Sequence, residues 1–264
     1  MAKKKIKLSV ISALHCYKLV FRSLLFLAAL IAYCISRARG DLRLFGEMQS
    51  RPLILAVIWV VFVLEMVLRF FPSKLESMGC QKQFRHNYIP MECGAAPRQT
   101  WRSTLAIALA WILLNAVIGG IYFLGWIDEG ILILISLAYS ICDMICILFF
   151  CPFQTWFMKN KCCGTCRIYN WDYAMMFTPL VFIPDVFTWS ILGIALLLLA
   201  VWEISVRLHP ERFCETTNAG LSCANCREKL CHHKTQLRHF LKKNKDTLLL
   251  KGNTVISKAK KKFK

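Results

Sequence analysis

Five stretches of about twenty mostly apolar residues constrain this chain more than any other feature. A helix rises 1.5 Å per residue and the hydrocarbon layer of a bilayer is about 30 Å thick, so stretches of this length reach across it. They cover residues 19–36 (LVFRSLLFLAALIAYCIS), 53–71, 104–126, 131–151 and 186–206. Pro72 and Pro152 stop the second and fourth, and the aromatic pair Phe123 and Trp126 ends the third where a membrane interface suits such rings. With 57% of the 264 residues hydrophobic and only 19% charged, a water-soluble, disordered or disulfide-stapled secreted fold is excluded. The fold class expected is all-α: a polytopic transmembrane bundle of five long spans and a sixth short element.

That sixth element, residues 168–184 (IYNWDYAMMFTPLVFIP), has only 12 residues after Asp172, about 18 Å of helix, and is broken by Pro179 and Pro184. Its length fits a tilted span, a re-entrant hairpin or an interfacial segment. Charge decides the topology, because Lys and Arg in short flanks stay on the cytoplasmic side. The chain has 34 Lys and Arg against 15 Asp and Glu, a formal net charge of +19. If residues 168–206 cross twice or not at all, 30 of the 34 basic residues fall inside. A single crossing divides them almost evenly. Both termini are therefore expected in the cytoplasm, with the protein in an inner or plasma membrane. The first span reads as a signal anchor, since Tyr33 before Cys34 is too large for lipoprotein processing. The organisation expected is a basic arm (1–18), the bundle (19–208), a cysteine-rich loop (151–167), a Cys/His-rich segment (209–235) and a basic tail (236–264).

Fourteen cysteines are present. Cys16, Cys34, Cys142 and Cys146 lie in or beside apolar helices and read as small packing residues. Cys80 and Cys93 share a loop on the reducing side, where a stable disulfide is not expected. The other eight form two clusters: Cys151, Cys162, Cys163 and Cys166, and then Cys214, Cys223, Cys226 and Cys231, followed by His232 and His233. Each contains a Cys-x-x-Cys-Arg step, Cys163 to Arg167 and Cys223 to Arg227. Two intervening residues let both sulfurs of a tight turn point at one ion, and two such turns complete a tetrahedral thiolate site. Cys162, Cys163, Cys166, Cys214, Cys223, Cys226, Cys231 and His232 are thus the metal-ligand candidates, with zinc ahead of an iron–sulfur cluster. A joint site requires both clusters on one aqueous side. A thiol–disulfide role for Cys163 and Cys166 is the redox alternative.

Asp143 and Glu65 fall inside spans, where charge is costly and faces protein or a water-filled cavity. Arg69, four residues after Glu65, is positioned to pair with it on one helix face. Asp143 has no partner in its own helix. Asp185, beside Pro184, reads as a turn residue of the broken element. The basic tail suits anionic lipid headgroups, and its two phenylalanines are too few for nucleic-acid stacking. Gly-x-Gly-x-x-Gly, P-loop, His-Glu-x-x-His and Gly-x-Ser-x-Gly motifs are absent, which points away from a self-contained enzyme and leaves no catalytic residue to assign. The function expected is a membrane protein with a cytoplasmic cysteine-rich metal-binding or redox module for sensing, docking or electron relay. The alternatives are a small transporter or channel using Asp143 and the Pro-broken segment, and a scaffold or accessory subunit that docks a protein partner.

Overall fold

The computed structural model describes residues 9–39, 52–74, 76–91, 101–158, 160 and 162–228. The arm before Ser9, Cys93, Cys231, His232 and the basic tail, on which several expectations fall, lie outside the described residues. Among the described residues the fold is helical and has no strand. Four helices are long and apolar enough to cross a membrane: α1 (Val10–Ala38), α4 (Trp101–Phe123), α5 (Glu129–Leu148) and α7 (Val186–Leu208). The expected second long span is shorter than anticipated. Helix α2 covers Pro52–Leu68, only 17 residues, because the chain leaves helical geometry at Arg69 and turns into the loop that carries the four-residue α3 (Met78–Gln81).

Capping side chains set where the helices begin. Ser9 accepts from the Ser12 N–H to start α1, Asp128 accepts from Ile131 (3.0 Å) to start α5, and Asp185 accepts from Phe187 (2.8 Å) to start α7. Each satisfies an orphan donor, and the two carboxylates also sit well against the helix dipole. Asp185 is therefore the N-cap of α7.

The pattern of burial is inverted relative to a water-soluble bundle. Leu24, Leu27 and Ile31 of α1, Leu109, Ile112 and Leu113 of α4, and Leu196, Leu197 and Ile204 of α7 point outward. Ser12, His15, Arg22, Asn115, Ser136 and Ser140 point inward. An apolar exterior around polar interior groups matches a hydrocarbon solvent, and these faces are where the protein meets lipid.

Opposite ends of the bundle can be told apart by their contacts. At one end Tyr33 donates to Asp128 (3.0 Å), and its ring lies so close to Gly130 that a Cβ there would fall 2.7 Å from it. The other end carries a polar cap built from residues 69–74, 76–91, 151–158, 162–171 and 209–228. The broken element joins the two. Its α6 (Asp172–Phe177) starts at Asp172, paired with Arg69 at the cap end of α2, and a 3-10 turn over Thr178–Phe182 follows. Midway, Ser136 donates to the Met176 carbonyl (2.9 Å) and Trp111 to Thr178 (3.3 Å). Phe182 ends against Gly119, where a Cβ would meet its ring at 2.3 Å, and against Phe123 (ring centroids 5.8 Å). Helical rises of 1.5 and 2.0 Å per residue carry this short segment about 19 Å. Irregular backbone is tolerated there because α4, α5 and α7 surround it.

Candidate functional site

The site begins with a polar stripe on α1. Ser12, His15, Lys18 and Arg22 recur at three- and four-residue spacing and share one helix face. Arg22, 1% exposed, donates to Glu65 of α2 (2.9 Å), to Asp143 of α5 (3.2 Å) and to the Ser140 carbonyl (3.1 Å). The Tyr173 hydroxyl donates to Glu65 (2.8 Å), and Lys18 bridges Glu65 (3.6 Å) and Glu76 (3.7 Å). The expected Glu65–Arg69 pair does not form. Arg69 lies just past the end of α2, so it turns away to Asp172 (2.7 Å) and Asn170 (3.2 Å), with its guanidinium 4.5 Å over the Tyr173 ring. Five segments are thereby tied by one buried ionic network, in which removal of any cation strands a carboxylate.

Beside this network, between α5 and residues 151–176, opens a cavity of about 300 Å³. Five cysteines line it: Cys142, Cys146, Cys151, Cys163 and Cys166. Cys146 and Cys151 share a side-chain hydrogen bond, and Cys163 donates to the Gln154 side chain (2.9 Å), which anchors the neighbouring turn by donating to the Asn160 carbonyl (3.0 Å). Asp143 and Asp172 also reach the wall, which joins the cavity to the ionic network.

The Cys163–Cys166 turn is closed by the Cys166 N–H donating to the Cys163 carbonyl (2.9 Å). Lys82 is fully buried behind it, donating to the carbonyls of Gly164 (2.9 Å) and Cys166 (2.7 Å), with its ammonium 5.4 Å over the Trp202 ring. Burial lowers the Lys82 ammonium to about 8 and pushes the Cys80 thiol up to about 12. Burial also raises the Cys166 thiol, against the pull of Lys82. Arg167 grips Glu203 of α7 with both guanidinium nitrogens, and Trp171 donates to the same carboxylate (2.7 Å).

The tail cluster lies on the same cap. The Ala219 N–H donates to the Ile89 carbonyl (2.9 Å), and Asn218 accepts from Ile89 (3.2 Å). The first Cys-x-x-Cys turn and residues 218–219, just ahead of the second, thus both rest on the 76–91 loop, at one end of the bundle. Among the described residues no three His, Cys, Asp or Glu side chains gather as a metal ion requires, and Cys231 and His232 of the expected ligand set lie outside those residues. The first turn faces inward, its Cys166 buried and its thiol raised by that burial, whereas Cys223 is exposed on the outer surface. Cys162 and Cys214 sit half-buried, Cys214 beside the Thr216 hydroxyl (3.0 Å).

Sequence reasoning counted Lys18 and Arg22 only as basic charge at the start of the first span, although the stripe on α1 marks both. Lys82 had no such signal, since its flanking Gln81 and Gln83 give no hint that the ammonium turns inward. Comparison with protein-family models, with curated proteins and with solved structures finds no match for this chain.

Proposed function

We propose that the chain is a six-crossing membrane protein of the cell membrane with both termini on the cytoplasmic side, acting as a binding component whose ligand occupies the cysteine-lined cavity. The topology is supported by the broken element, which starts at the cap end and finishes at the Tyr33 end. It is supported as well by contact between the flanks of the two termini, where Ser9 and Ser12 donate to the Glu228 carbonyl (3.1 and 2.8 Å). The basic excess of the sequence then assigns the cap to the cytoplasm.

The cavity carries the functional part. A concave, mostly apolar space with a few convergent polar groups is what a small-ligand site requires. This one sits where membrane bundle meets cap, so an occupant touches both the ionic network and the thiol-bearing turns. Occupancy is thereby coupled to the shape of the cap, which is the surface offered to a cytoplasmic partner.

The test is thermal unfolding of the detergent-purified protein with small aromatic amines and alcohols, comparing wild type with a cavity-filling Cys146→Phe variant. Stabilisation of wild type alone supports the reading, and equal shifts in both proteins, or none in either, overturn it.

A further inference from the structure

Accepting the cavity as a ligand site, we infer that its occupant is a small organic cation, an ammonium group on an apolar or aromatic body, with the ammonium set against Asp143. Among the described residues the cavity wall holds two carboxylates, Asp143 and Asp172, and no Lys, Arg or His. The cations that partner them, Arg22 and Arg69, stand behind the wall and do not line the space. Among the described residues, what enters therefore meets negative charge first.

Charge within the ionic network points the same way. Three cations, Lys18, Arg22 and Arg69, face four carboxylates, Glu65, Glu76, Asp143 and Asp172, with His15 counted neutral. One positive charge is lacking. Of the two carboxylates on the cavity wall Asp143 has the thinner share: its single bond from Arg22 (3.2 Å) reaches Oδ2 only and the same guanidinium also serves Glu65 and the Ser140 carbonyl, whereas Asp172 holds Arg69 at 2.7 Å. An uncompensated carboxylate at membrane depth is costly, and an ammonium group in the cavity removes that cost.

The rest of the lining decides which kind of cation. Hard metal ions require a shell of oxygen ligands, and this wall is chiefly sulfur, aromatic and aliphatic. Trp111 and Tyr139, with ring centroids 4.7 Å apart, present aromatic surface near Asp143. Aromatic faces and the soft sulfurs of Met175 and Met176 suit a weakly hydrated organic cation.

The experiment measures alkylation of Cys146 and Cys163 by N-ethylmaleimide in the purified full chain, using benzylamine (charged at neutral pH) and benzyl alcohol as probes. Both probes donate a hydrogen bond and share a ring, so their difference isolates the charge. Benzylamine is expected to slow alkylation roughly tenfold. Benzyl alcohol should have little effect, and Asp143→Asn should remove the difference. That variant leaves Arg22 paired with Glu65 and brings cations and carboxylates of the network to parity, so it is expected to fold, while Asp143→Glu should keep the preference for amine. Equal protection by amine and alcohol overturns the charge assignment while leaving the cavity a ligand site. Protection by neither overturns both.

Discussion

The two Cys-x-x-Cys-Arg turns are nearly the same string in opposite surroundings. In the first, Cys166 and Arg167 are buried, Lys82 supports the turn from behind, and Glu203 holds the arginine. In the second, Cys223, Ala224, Asn225 and Arg227 lie exposed on the cap. Spacing dictates the local turn in both cases. The chemistry of the sulfurs is set by what packs around them, as burial suppresses the thiolate in one and leaves the other open to solvent.

The sharpest way to break this contrast is to truncate the two arginines. Arg167→Ala strands Glu203 beneath the cap and is expected to cost about 3–5 kcal/mol in an unfolding titration in mixed micelles. Arg227→Ala should stay within about 0.5 kcal/mol of wild type. Equal costs would mean that the turns are equivalent after all. Lys82→Met comes next: it leaves the Gly164 and Cys166 carbonyls without their donor, and a loss of about 2 kcal/mol is expected in the same titration.

The pH dependence sharpens the contrast further. Folding lowers the Lys82 ammonium from 10.5 to about 8, so above about 8 the unfolded chain holds a proton that the folded chain has released. Stability must therefore rise with pH from that point, by at most about 1.4 kcal/mol per pH unit for one proton. Cys80 works the other way above 9, because folding raises its thiol to about 12 and the unfolded chain loses that proton first. A gain between pH 8 and 9 that flattens beyond it, and vanishes in Lys82→Met, is the expected unfolding profile. The smallest effect separates the thiols themselves: Cys166→Ala should cost about 1 kcal/mol and Cys223→Ala almost nothing, read as shifts in the unfolding midpoint.

The sequence was most legible where one solvent acts on a long segment. The apolar runs place α1, α4, α5 and α7 to within a few residues, except that α1 begins at Val10, where Ser9 caps it, and runs through His15 and Lys18, whose polarity breaks the apolar run but not the helix. Intramembrane carboxylates were legible as residues that need partners, and the partners themselves were not. Arg22 and Asp143 meet across α1 and α5, and Arg69 abandons Glu65 because the helix ends one residue too soon for their spacing to matter. Tertiary geometry decides such pairings, and local periodicity carries no record of it. The cavity lay further out of reach, since its cysteines come from α5, from Cys151 just before Pro152 and from the 163–166 turn.

Glu228 gives the fold a particular order of completion. Its carbonyl accepts from Ser9 and Ser12 at the start of α1, and its carboxylate accepts from Ser77 and from the Met78 N–H at the start of α3. Helix α1 thus waits for a residue synthesised more than two hundred positions later before its opening turn is sealed. A break just ahead of residue 228 would be felt at that opening turn, far from the damage in sequence yet adjacent to it in space.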